Sequence, residues 1–131
     1  MAYVSLDSDQ IKKAHKKHKY SKTQVEQLEK CMDEKSGPLY FMKSFMKIQH
    51  PVKGSIPFHP FPYQERLIAS YNDHRFSIAM LPRQTGKTTC ASGFLIWYAM
   101  FRPDSQILIA AHKYAGASDI MSRVRYAYEM L

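Results

Sequence analysis

The chain has 131 residues, of which 45% are hydrophobic, and a formal net charge of +8. This length suits one domain or a fraction of one, and the hydrophobic content is sufficient for a core. The N-terminus is polar where a signal peptide would be apolar, and no apolar run reaches about 18 residues, so we expect neither export nor a membrane span. The positive charge favours an anionic partner such as nucleic acid, although it serves solubility equally well.

Residues 1–20 are polar and rich in lysine, and we expect them to form a flexible basic segment. Much of the excess charge is carried by Lys12, Lys13, Lys16, Lys17 and Lys19. Such a charge run is usually a solvated tail or helix face, and direct contact with nucleic acid is the alternative.

Residues 21–60 are expected to form a helical N-terminal subdomain followed by a loop. Ser21 and Gln24 make a capping-box pattern, which predicts a helix over residues 22–35. A Ser-Gly-Pro interruption ends it, and a second short helix is predicted over residues 39–46.

The next predicted elements lead towards a strand. Residues 50–57 have the composition of a loop or a hairpin. A helix is predicted over residues 62–71, because proline is favoured in the first helical turn. A polar turn then leads into a predicted strand over residues 76–81.

The segment at residues 81–89, LPRQTGKTT, is typical of a phosphate-binding (Walker A) loop, and it leads into an apolar stretch that predicts a helix over residues 87–101. In such a loop, backbone N–H groups and the helix N-terminus bind a nucleotide's phosphates. Lys87 would reach the β- and γ-phosphates, and the Thr88 hydroxyl would ligate Mg²⁺. The common pattern has glycine where this chain has Leu81. The alternative is a chance Gly-Lys-Thr sequence at the start of a surface helix.

Three consecutive apolar residues, Ile107, Leu108 and Ile109, predict a second strand over residues 106–111 that is buried on both faces, as in a parallel sheet. A last helix is predicted from about residue 118. We therefore expect an α/β fold. Residues 61–131 would be the front part of a P-loop NTPase, with a parallel sheet and flanking helices, preceded by the small helical N-terminal region. Two strands cannot cover several apolar helices, so we expect the domain to be incomplete in this chain.

Three short sequences together resemble one family. They are RQTGKTT at residues 83–89, PYQER at residues 62–66 and IAAHK at residues 109–113. This combination resembles the large terminase subunit of tailed bacteriophages, closest to that of the large contractile-tailed phages. The likeness extends from about residue 21 to residue 131 and is strongest after residue 61.

The resemblance implies an ATPase that drives double-stranded DNA into a preformed capsid, with an endonuclease in the full-length protein. It implies ATP and Mg²⁺ as cofactors. Implied partners are double-stranded DNA, the portal protein and the small terminase subunit, with the full-length protein forming a homo-oligomeric ring on the capsid. The expected location is the host cytoplasm, transiently docked on the portal, and no membrane partner is expected.

The resemblance also implies roles for individual residues. Arg83 would act as an arginine finger within its own loop, and with Lys87 it would be catalytic. The alternative for Arg83 is a loop arginine paired to a neighbouring carboxylate. Gln64 would read the adenine edge and favour ATP over GTP, and the alternative is a solvent-facing helix residue. The implied nucleotide-binding set is Gln64, Arg83, Gln84, Thr85, Gly86, Lys87, Thr88 and Thr89.

Two departures from the family pattern limit the expected activity. The phosphate loop is not followed by the Asp-Glu pair (Walker B) that would bind Mg²⁺ and activate water, and the nuclease carboxylates are also missing. Asp104 and Asp119 are the only carboxylates between the loop and Glu129, and neither ends an apolar run. We therefore expect little or no ATP turnover by this chain alone.

The sequence also allows two other functions. A helicase-like P-loop DNA translocase shares the upstream glutamine and the phosphate loop, and a truncated, non-catalytic nucleotide- or DNA-binding module is the further alternative. His112 and Lys113 would contact DNA or belong to a surface loop that shapes the nucleotide pocket. Cys31 and Cys90 have no metal-ligand spacing, and we expect both to be reduced thiols in a cytosolic protein.

Overall fold

The computed structural model describes residues 20–50 and 52–131. In chain order its elements are α1 (Lys22–Met32), α2 (Gly37–Ser44), β1 (Lys47–His50), β2 (Gly54–Pro57), α3 (Pro62–Asp73), α4 (Lys87–Phe101) and α5 (Tyr114–Glu129). The predicted basic segment lies outside the described residues except for Tyr20. No helix in the described ranges combines the length and hydropathy needed to cross a membrane.

Helix α1 begins with the predicted capping box. The Ser21 hydroxyl accepts a hydrogen bond from the Gln24 N–H at 3.2 Å, and the Gln24 side chain accepts one from the Ser21 N–H at 2.9 Å. The helix ends at Met32, before the predicted residue 35. Its end is early because the Asp33 carboxylate accepts hydrogen bonds from the following backbone N–H groups and turns the chain towards α2.

Helix α4 is at the centre of the packing. It contacts α2, α3 and α5, and Cys90, Ile96 and Trp97 are among its buried side chains. The sequence of α4 is apolar nearly all round because several elements cover it. The Trp97 indole N–H donates to the Cys31 carbonyl at 2.7 Å, which gives a donor to one of the carbonyls that the last turn of α1 leaves unpaired.

We expect Trp97→Phe to lower the free energy of unfolding by about 1–3 kcal/mol, because the buried Cys31 carbonyl loses its donor. Urea unfolding followed by circular dichroism measures the change. Tyr98→Phe, on the same helix but more exposed, is the matched control and is expected to change stability by less than about 0.5 kcal/mol. Equal effects of the two substitutions would contradict the assigned role of the indole.

Strands β1 and β2 form an antiparallel hairpin in which Ile48 pairs with Ile56 and His50 pairs with Gly54. Gly54 has a φ of 70°, which a residue with a side chain adopts only with strain. The segment predicted as a loop or hairpin is therefore a hairpin, and its first strand begins earlier than predicted.

The predicted α/β fold with a parallel sheet is wrong. In the described chain the only sheet is the β1–β2 hairpin, and residues 76–81 and 106–111 have no regular secondary structure. Ile78 is 97% exposed and Leu108 is 92% exposed, so neither segment is a strand buried on both faces. A parallel strand requires hydrogen-bonding neighbours and cover on both faces, and the described residues give these segments neither.

The helices around those segments agree with the sequence. Helix α3 begins at Pro62 as predicted, and α4 has the predicted limits. Helix α5 begins at Tyr114, one turn before the predicted residue 118. The structure is therefore mainly helical. Residues 82–86 form a loop, called the 82–86 loop below, which connects α4 to a preceding segment that has no strand pairing.

Candidate functional site

The 82–86 loop is a tight turn that leads directly into α4. Gln84 and Gly86 both have positive φ values, 63° and 74°, and Gly86 is the residue that caps α4. The Thr85 hydroxyl donates to the Pro82 carbonyl at 3.0 Å, which closes the turn. On the preceding side, Leu81 packs against the hydrophobic core. The departure from glycine at position 81 thus has a structural reason, because the leucine anchors the start of the loop.

The N-terminus of α4 can attract an anion. The Cys90 N–H donates to the Gly86 carbonyl at 3.0 Å, so the helical ladder starts there and the earlier N–H groups of the first turn have no intrahelical acceptor. Their partial positive charge favours anions. Lys87, the first residue of α4, is exposed, and so is Arg83, so both cationic side chains are accessible to a ligand at this end of the helix.

Gln64 lies against the loop and is only 5% exposed. Its side-chain oxygen accepts from the Phe61 N–H at 2.9 Å, and its side-chain nitrogen donates to the Thr85 carbonyl at 3.0 Å. A Cβ atom at position 86 would lie 2.6 Å from that nitrogen, so the close approach requires Gly86. Gln64 is therefore not a solvent-facing helix residue. One hydrogen on the side-chain nitrogen and one lone pair on the side-chain oxygen are not used by these two hydrogen bonds.

Tyr63 is a part of this arrangement that the sequence reasoning missed. Its hydroxyl donates to the same Thr85 carbonyl at 3.0 Å, and its ring stacks on Phe61 with a centroid distance of 5.9 Å. The available signal was its position inside PYQER, directly before Gln64. The structure thus brings Tyr63 and Gln64 of α3 together with Thr85 and Gly86 of the loop.

Residues 78–131 match the family model described as terminase large subunit, T4likevirus-type, N-terminal. This part of the chain is thus similar to the N-terminal region of terminase large subunits. The match includes the 82–86 loop, α4 and α5, whereas Tyr63 and Gln64 precede it. The predicted resemblance is confirmed for this segment, and it supports the identification of the chain as an N-terminal fragment of a large terminase subunit.

Asp104 and Asp119, two carboxylates of the matched segment, do not assemble a metal site. Asp104 lies in the turn after α4 with a φ of 53°, and the Asp119 carboxylate accepts from Arg123 on α5 at 3.1 Å. Across residues 20–50 and 52–131, no three side chains of His, Cys, Asp or Glu could hold a metal ion together. The Thr88 hydroxyl, in the first turn of α4 and half-buried, remains the candidate ligand for Mg²⁺.

The remaining side chains singled out in the sequence are two residues before α5 and two cysteines, of which Cys90 lies in the first turn of α4. His112 and Lys113 are exposed just before α5, where Lys113 caps the helix without a side-chain hydrogen bond. Cys31 and Cys90 are free and buried. Burial raises the pKa of Cys90 to about 11, so its thiol stays protonated near neutral pH and is a poor nucleophile or metal ligand.

Proposed function

We propose that the 82–86 loop and the N-terminus of α4 bind the phosphates of ATP with Mg²⁺. We further propose that the chain is the N-terminal ATPase part of a terminase large subunit, which couples ATP hydrolysis to the translocation of double-stranded DNA into a preformed capsid. The observation that supports this most is the turn with positive φ values at Gln84 and Gly86, which ends in a helix N-terminus flanked by two exposed cations.

The residues present fit a polyphosphate. Gly86 leaves the space that a Cβ atom would fill beside Gln64, so the backbone can turn sharply into α4. The unpaired N–H groups of the first turn can donate to phosphate oxygens, and Lys87 adds a full positive charge at the same end. The Thr88 hydroxyl would hold Mg²⁺, with the remaining ligands from phosphate oxygens and water.

Arg83 would stabilise the charge that develops on the transferring phosphoryl group. Its position is three residues before Gly86, and its side chain is exposed. Among the described residues it forms no ion pair with a carboxylate, which argues against the alternative of a structurally paired loop arginine. ATP supplies the free energy of phosphoryl transfer, and the chain supplies binding, orientation and charge.

The larger assembly is proposed from the family match and from charge. The full-length protein would carry an endonuclease, form a ring and act with double-stranded DNA, the portal protein and the small terminase subunit at the capsid in the host cytoplasm. The net charge of +8 is compatible with a DNA partner. The carboxylates that follow the loop in the sequence favour a narrower role for residues 1–131 alone. Because Asp119 is paired with Arg123, and Asp104 is in a turn after α4, we propose nucleotide binding without efficient turnover.

Equilibrium titration of the chain with ATP and Mg²⁺ tests nucleotide binding. One saturable site is expected, and it should be competed by pyrophosphate, because the phosphates carry most of the proposed contacts. A chain that stays unliganded at millimolar ATP would contradict the proposal.

A second prediction concerns base choice. If the free amide hydrogen and lone pair of Gln64 contact adenine, Gln64→Ala should narrow the difference in binding free energy between ATP and GTP by about 1–2 kcal/mol, the effect of one or two hydrogen bonds. Titrations of both nucleotides measure the difference. Gln24→Ala, which removes the equivalent capping glutamine of α1, is the matched control. Equal losses of binding free energy for ATP and GTP would indicate that Gln64 positions the loop and does not contact the base.

A further inference from the structure

We propose that Tyr63 is a positioning residue for the 82–86 loop, and that its hydroxyl fixes the peptide bond between Thr85 and Gly86. This inference rests on the proposed binding of phosphates at the loop. Tyr63 would not touch the nucleotide phosphates itself. It would set the direction of a backbone N–H group that does.

The Thr85 carbonyl oxygen has two donors, and both come from α3. The Tyr63 hydroxyl and the Gln64 side-chain nitrogen each lie 3.0 Å from it. A carbonyl oxygen has two lone pairs, so these two hydrogen bonds use its accepting capacity. The loop is therefore tied to α3 at a single atom by two consecutive residues.

Fixing this carbonyl also fixes the next N–H group. A trans peptide is planar, and its C=O and N–H bonds point in opposite directions. Because the Thr85 carbonyl is directed at α3, the Gly86 N–H is directed away from α3. Rotation of this peptide would replace an N–H donor by a carbonyl acceptor, which repels an anion.

Gly86 is the position where such a rotation is easiest. It has no Cβ atom, and its φ of 74° lies in a region that glycine enters and leaves at little cost. The side chains of Pro82, Arg83 and Gln84 are exposed, so little packing restrains this part of the loop. Apart from the hydrogen bond of the Cys90 N–H to the Gly86 carbonyl, the turn is held from outside by the hydrogen bonds to the Thr85 carbonyl.

The two donors are themselves held in place. The Tyr63 ring is half-buried and nearly parallel to the Phe61 ring, with an interplanar angle of 6°. The Gln64 side-chain oxygen is tied to the Phe61 N–H. The start of α3 therefore presents two donors whose orientation is already fixed. Ligand binding at the loop does not have to restrict these two side chains, so it does not carry the entropic cost of doing so.

Tyr63→Phe tests the inference because it removes the hydroxyl and keeps the ring. Tyr71→Phe, on the same helix and packed against Phe94, is the control. We expect Tyr63→Phe to weaken binding of magnesium pyrophosphate by about threefold to tenfold, the effect of one hydrogen bond. Affinities for ATP and GTP should fall by the same factor, because the base is not involved. The control should bind all three as the unsubstituted chain does.

Nuclear magnetic resonance of the ligand-free chain gives a readout that does not depend on binding. Tyr63→Phe is expected to broaden the Gly86 amide signal by exchange between peptide orientations, with the amides of α2 unchanged. Unaltered Gly86 signals together with unaltered pyrophosphate affinity would overturn the inference. A general loss of stability, seen as equal broadening in α2 and in the loop, would also overturn it. If the unsubstituted chain binds no pyrophosphate, the proposed function fails, whereas the Gly86 signal still decides whether Tyr63 holds the peptide.

Discussion

Lys87→Ala is expected to abolish ATP hydrolysis by the full-length protein and to weaken ATP binding to this chain by about tenfold to a hundredfold. Lys87 is the first residue of α4 and its side chain is exposed, so alanine removes a charge without leaving a cavity. A hydrogen bond to a charged group contributes about 1.5–3 kcal/mol, which sets the expected loss of affinity. Hydrolysis should be affected more, because in the proposed function the ammonium would also stabilise charge in the transition state.

The matched control for this substitution is Lys22→Ala. Lys22 is also an exposed lysine at the first position of a helix, α1, but that helix N-terminus is capped by Ser21. The control should hydrolyse and bind ATP as the unsubstituted protein does. Circular dichroism and the thermal midpoint establish that both variants are folded. Undiminished turnover in a folded Lys87→Ala protein would contradict the assignment of the loop.

Arg83→Ala is expected to lower the single-turnover rate of ATP hydrolysis in the full-length protein by roughly a thousandfold or more, with a much smaller loss of ATP affinity. The physical reason is that a guanidinium placed over the phosphates interacts most strongly with charge that develops during transfer. Arg83 lies in an exposed turn beside Gln84, whose φ is 63°, so its side chain can change position without disturbing the core.

Two comparisons make the Arg83 prediction specific. Arg83→Lys should restore little of the rate, because a point charge cannot reproduce the planar pair of donors. Arg66→Ala, an exposed arginine on α3, is the control and should leave the rate unchanged. If affinity and rate fall in equal proportion, or if lysine restores full activity, Arg83 is a ground-state phosphate contact and the arginine finger must come from elsewhere, such as a neighbouring subunit.

The elements that the sequence predicted correctly depend on local signals. The capping box at Ser21 and the proline at the start of α3 act within one helical turn, and the structure has both helix starts where they were predicted. The limits of α4 were also correct, because glycine precedes it and a long apolar stretch fills it. These signals require no knowledge of distant residues.

The strand predictions failed because strands depend on distant partners. An apolar run such as residues 107–111 has the composition of a buried strand, but composition does not show whether a neighbouring strand is present. Leu108 is 92% exposed where the prediction required burial. The parallel sheet was inferred from the order of the elements, and the described chain does not contain the pairing that it needs.

The candidate site was predictable only where it depends on local sequence, because its other contacts join residues that are distant in the chain. The Gly-Lys-Thr sequence correctly placed a glycine turn at the start of a helix. The contact of Tyr63 with Thr85 joins residues 22 positions apart, and no local pattern reports it. For Gln64 the resemblance suggested a contact with adenine, which stays a prediction, and the structure adds hydrogen bonds of its buried amide to Phe61 and Thr85 that the sequence did not predict.

The central claim is that the N-terminus of α4 binds phosphate, and amide chemical shifts measured during a titration with magnesium pyrophosphate test it most directly. The account predicts saturable shifts that are largest for Gly86, Lys87, Thr88 and Thr89. The amides at the start of α1, where Ser21 already accepts from the helix, serve as the internal control and should not move. Shifts of equal size at both helix starts, or no saturable shift at residues 86–89, would contradict the account.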